Sequence, residues 1–128
     1  MASLMIPSEV RTPELNFDWD TGVFSIRGES YPEDVQKFYA GPIKCFSDWL
    51  RERPGTPLLF EFNLTYFNSS SAKVIMDLFS LIEEAANGGR PASVMWYYAF
   101  DDDNAKELGE ELGSELKTAK FQLCEFTN

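Results

Sequence analysis

Residues 58–67 read Leu-Leu-Phe-Glu-Phe-Asn-Leu-Thr-Tyr-Phe, which sets Leu58, Phe60, Phe62, Leu64 and Tyr66 on one side of an extended chain and Glu61, Asn63 and Thr65 on the other. Alternation sustained over this length specifies a long strand. Asn68 follows at once and opens a helix whose apolar residues Val74, Ile75, Leu78, Phe79, Ile82 and Ala86 form one broad stripe, closed by Asn87-Gly88-Gly89. A second strong strand runs from Ala92 to Phe100. Strand, amphipathic helix and strand in that order imply a right-handed crossover between parallel strands.

The flanking segments extend this unit. After Asp101-Asp102-Asp103-Asn104 a more polar helix is expected to about Lys117, and Phe121, Leu123 and the apolar neighbours of Cys124 predict a last strand. Upstream, Leu15, Phe17 and Trp19 alternate with polar residues, Asp20-Thr21-Gly22 supplies a turn, and Phe24 and Ile26 resume the alternation, so residues 14–28 read as an antiparallel hairpin. Ser30-Tyr31-Pro32-Glu33 has the capping-box spacing and predicts a helix start. Gly41-Pro42 should split or bend that helix, after which Ile43, Phe46, Trp49 and Leu50 continue to Pro54-Gly55-Thr56-Pro57. Residues 1–13, with Pro7 and Pro13 and no periodicity, read as an N-terminal arm. The expectation is one α/β (α+β) domain over residues 1–128, with a mixed sheet of about five strands, a hairpin followed by βαβαβ, covered by helices.

Composition narrows the function. Lys and Arg total 11 against 21 Asp and Glu, and a formal charge of −10 repels phosphodiester backbones and anionic headgroups, so neither nucleic acid nor a membrane is expected as a partner. Met1 to Val10 contains no basic segment followed by an apolar run, which favours a cytoplasmic protein. Histidine is absent, removing the commonest general base near neutral pH and the commonest zinc ligand. Cys45 and Cys124 sit among apolar neighbours and read as reduced packing residues. Asp101-Asp102-Asp103 reads as a solvated loop, because three consecutive carboxylates do not converge on one ion unaided. Trp96, Tyr97 and Tyr98 lie on an expected central strand, and at least two of them should pack in the core. No cofactor, metal or catalytic residue is expected.

The informative stretch is Tyr66-Phe67-Asn68-Ser69-Ser70-Ser71-Ala72-Lys73, where Asn68 is the expected N-cap and three serines occupy the first helical turn. Unpaired N–H groups and the positive end of the helix dipole make this a place where an added phosphate is tolerated. Serine is also favoured at helix starts for capping alone.

The chain resembles the SiaC family of biofilm-regulation phosphoproteins. The likeness runs from Arg11-Thr12-Pro13 through Gly28-Glu29-Ser30-Tyr31-Pro32-Glu33 and Tyr66-Phe67-Asn68-Ser69-Ser70-Ser71-Ala72-Lys73 to Gly88-Gly89-Arg90-Pro91 and Trp96-Tyr97-Tyr98. The resemblance implies a non-enzymatic signalling protein phosphorylated by a serine/threonine kinase and dephosphorylated by a metal-dependent phosphatase. Its unmodified form would bind a diguanylate cyclase and promote cyclic di-GMP synthesis. The acceptor implied is Ser69, at a position where the family typically has threonine, with Asn68, Ser70, Ser71 and Lys73 as capping and partner-binding neighbours. By analogy, the arrangement also resembles anti-sigma-factor antagonists of the STAS type, which carry a phosphoserine at a helix start after a strand.

Two other readings compete. Ser70-Ser71-Ala72-Lys73 fits Ser-x-x-Lys, in which a lysine one turn on activates a serine nucleophile, but the supporting motifs are missing: Ser47-Asp48 is followed by Trp49, and Lys117-Thr118 by Ala119. The second is a constitutive protein-binding module that uses the same surface without phosphorylation.

Overall fold

The computed structural model describes residues 3–127. The expected hairpin forms from β2 (Glu14–Asp18) and β3 (Val23–Ser30), paired antiparallel with Phe17 opposite Phe24. A preceding strand, β1 (Leu4–Ile6), pairs antiparallel with β2 and sets Leu4 opposite Phe17. Part of the expected arm is therefore the edge of the sheet. The remaining elements are α1 (Val35–Glu52), β4 (Leu58–Phe67), α2 (Ser69–Asn87), β5 (Ala92–Ala99), α3 (Asp103–Gly113) and β6 (Lys120–Phe126). Together they make a single α/β domain with a six-stranded mixed sheet in sequence order, in which β3 to β6 pair parallel.

All three helices cover one face of this sheet. Phe24, Phe60, Phe62 and Trp96 point from that face and are nearly inaccessible to solvent. Phe46 and Trp49 of α1 pack on Phe24 with ring centroids 5.1 and 5.0 Å away, and Phe79 of α2 lies 5.2 Å from Phe62. On α3, Gly109 brings the backbone against the Trp96 indole. The opposite face stays open, with Glu14, Asn16, Ser25, Arg27, Glu61, Asn63 and Tyr97 around a shallow depression of about 270 Å³.

Several local expectations change. Ser30 is the buried last residue of β3, and the N-cap of α1 is Asp34, whose carboxylate accepts the Lys37 N–H at 3.1 Å. Of the two outcomes open at Gly41-Pro42, a split into two helices is excluded, since α1 runs unbroken through both residues. Pro42 forfeits one backbone donor, but its ring is part of the buried stripe Tyr39, Pro42, Phe46 and Trp49, so packing on that face outweighs the lost bond. α3 ends at Gly113, because the Lys117, Thr118 and Ala119 N–H groups are drawn to the Glu83 carboxylate. Trp96 and Tyr98 are in the core, whereas Tyr97 faces the open side and donates to Glu61. Cys45 is exposed, so it is not a packing residue, and Cys124 is half-buried; both are free thiols. Asp102 is the N-cap of α3, and Asp101 and Asp103 are exposed.

Candidate functional site

The junction between β4 and α2 is shaped by a β-bulge. On β3, Gly28 pairs with Leu64 and Glu29 with Tyr66, which leaves Thr65 unpaired. The extra residue reverses the side-chain alternation. Tyr66, expected to share the face of Leu64, instead turns outward and is 53 % exposed, while Phe67 turns in and packs on Trp96 at 6.1 Å. Outside, the Tyr66 ring meets Tyr31 edge-on at 5.6 Å.

The N-terminal turn of α2 then begins at the C-terminal edge of the parallel strands. Asn68 is its N-cap, in extended conformation, with the side-chain oxygen accepting the Ser71 N–H at 2.9 Å. Ser69 and Ser70 are the first two helical residues and both are exposed. Lys73, one turn beyond Ser69, is also exposed. The first turn of α2 holds no acidic side chain of its own to offset the positive end of the helix dipole.

Ser71 stands apart from its neighbours. It is completely buried, and its hydroxyl accepts a hydrogen bond from Ser30 Oγ at 2.8 Å. The structure therefore joins Asn68, Ser69, Ser70 and Lys73 in one surface and removes Ser71 from it. Ser30 Oγ also lies 2.6 Å from the Tyr39 hydroxyl, and burial pushes the Tyr39 pKa up to about 12 against the opposing effect of this bond. The sequence pattern assigned Ser30 to a helix cap and did not single out Tyr39. The signal was present, since counting by twos from Phe24 and Ile26 puts Ser30 on the core face, where a hydroxyl requires a partner.

Fold and junction define a class of α/β module with helices on one side of the sheet and an exposed hydroxyl turn where a central strand passes into a helix. The SiaC family regulatory phosphoprotein model matches residues 6–126. An uncharacterized protein of Pseudomonas aeruginosa is 38 % identical over 111 residues, 87 % of each chain. Among solved structures, apo-SiaC from Pseudomonas aeruginosa superposes with a TM-score of 0.88 at 36 % identity, covering 97 % of this chain and 99 % of that one. SiaC in its complex with the diguanylate cyclase SiaD, of which it is the activator, gives a TM-score of 0.91 at 34 % identity, covering 96 % and 99 %. The chain belongs to the SiaC family of regulatory phosphoproteins. No helix among the described residues is long and apolar enough to cross a membrane.

Proposed function

We propose that this protein is a non-catalytic, cytoplasmic partner switch. In this reading its unmodified form binds and activates a diguanylate cyclase, and phosphorylation of Ser69 releases the cyclase. A serine/threonine kinase adds the phosphate and a metal-dependent phosphatase removes it. The observation that carries the proposal is the exposure of Ser69 at the first helical position of α2, directly after the Asn68 cap.

A phosphate there meets the positive helix end, which favours an exposed anion by about 0.3–1 kcal/mol. It also adds roughly −1.5 to −2 units of charge to the docking surface without entering the core. Local tolerance combined with a large change in surface charge is what a binary switch requires. The likeness to the activator in the SiaD complex supports a cyclase as the partner. Ser70 and Lys73 both face solvent, whereas a serine–lysine nucleophile needs a desolvated lysine, which speaks against acyl transfer.

The test is capture of a diguanylate cyclase from the native cells by wild type, Ser69→Ala and Ser69→Glu. Wild type and Ser69→Ala should retain the cyclase and Ser69→Glu should lose it. Equal capture by all three folded proteins contradicts the switch and favours a constitutive binding module.

A further inference from the structure

Ser30 is the last residue of β3 and is fully buried, and both its backbone oxygen and its hydroxyl reach the turn that carries Ser69. Its backbone oxygen accepts the Asn68 N–H at 3.2 Å, and its hydroxyl donates to Ser71 Oγ at 2.8 Å. The Tyr39 hydroxyl lies 2.6 Å from the same Ser30 Oγ and completes a buried chain of three hydroxyls. The Asn68 side chain closes the frame on the Ser71 N–H. One residue of β3 thus grips the chain immediately before Ser69 and two residues after it, and Tyr39 ties that grip to α1.

We propose that Ser30, braced by Tyr39, is the positioning residue that presents Ser69 for phosphoryl transfer; this rests on the Ser69 reading above. During transfer from ATP, Ser69 Oγ bonds to the γ-phosphorus as the bond to the departing ADP breaks, and the serine proton passes to a base on the kinase. Such a step depends on holding the acceptor oxygen in line with the scissile bond. Ser69 has only a short, rotatable side chain, so the placement of its oxygen is inherited from the backbone on either side. The same frame excludes Ser71 as an acceptor, because its hydroxyl is consumed and buried.

Ser30→Ala removes the donor to Ser71 and leaves two buried hydroxyls short of a partner. Ser71→Ala breaks the same bond from its other end, and Tyr39→Phe removes only the brace. Ile82→Val, at the far end of α2 and in the core, is a control for general loss of stability.

The experiment measures initial rates of Ser69 phosphorylation against protein concentration. Native-cell extract with Mg·ATP serves as kinase source, and the phosphopeptide is quantified by mass spectrometry. Ser30→Ala and Ser71→Ala should lower the maximal rate by roughly ten- to a hundredfold with little change in KM. Tyr39→Phe should show a smaller fall and Ile82→Val none, and amide exchange at Ser71 and Ala72 should quicken in the slow variants alone. Wild-type rates in both Ser30→Ala and Ser71→Ala would overturn the positioning role while leaving the Ser69 switch intact, and so would an equal loss in Ile82→Val. Should Ser30→Ala fail to fold, Ser71→Ala decides. A wild-type protein that takes phosphate elsewhere but never on Ser69 overturns the parent reading and this one with it.

Discussion

The Asn68 side-chain oxygen accepts the Ser71 N–H at 2.9 Å, a bond that spans Ser69 and Ser70 and fixes where α2 starts. The helix therefore begins at a residue chosen by a side chain and not by fraying of its first turn. Asn68→Ala should destabilise the protein by about 1 kcal/mol and Asn68→Gly by only a few tenths, as read by urea denaturation.

Close packing of α3 on the sheet depends on two glycines. A Cβ at Gly109 would lie 2.4 Å from Trp96 Cδ1, and one at Gly113 would lie 2.4 Å from Phe121 Cε2. Trp96 has no room to retreat, being buried with its indole N–H donating to the Ala105 carbonyl at 3.0 Å. Gly109→Ala should cost about 1–3 kcal/mol in thermal or chemical denaturation, although alanine is the better helix former.

Glu83 of α2 gathers the N–H groups of Lys117, Thr118 and Ala119 on its carboxylate. The Ala119 bond is the largest cause holding its pKa below the ordinary value, with the Lys117 and Thr118 bonds adding to it. A carboxyl group depressed in the folded state contributes stability that is fully present above the ordinary glutamate value and is lost as pH falls through the folded value. Glu83→Gln should therefore weaken the protein at neutral pH and flatten the acid limb of its stability profile. An acid limb of unchanged slope would contradict this assignment.

Most of the architecture is legible because the strong signals agree. The Leu58 to Leu64 alternation, the α2 stripe and the Asn87-Gly88-Gly89 stop all point to one crossover, and the hairpin follows from Asp20-Thr21-Gly22. What escaped was decided by tertiary partners. Leu4-Met5-Ile6 is too short to show a period, and is a strand because β2 offers it an edge. Thr65 looks like any residue of an alternating strand, yet its bulge turns Tyr66 outward and Phe67 inward.

The candidate site was legible in its outline and not in its support. Asn68, Ser69, Ser70 and Lys73 lie together where the strand-to-helix transition implies. Ser71 resembles its two neighbours in sequence but faces the other way around the helix, toward Ser30. The pairing of Ser30 with Ser71 crosses 41 positions, and no local pattern encodes it.

The account turns on Ser69. Phosphopeptide mapping of the protein isolated from its native cells, with and without phosphatase treatment, addresses it most directly. The predicted result is a single phosphate on the peptide containing Asn68 to Lys73, localised to the hydroxyl of Ser69 and removed by the phosphatase. A chain that stays unmodified at Ser69 under every growth condition would contradict it.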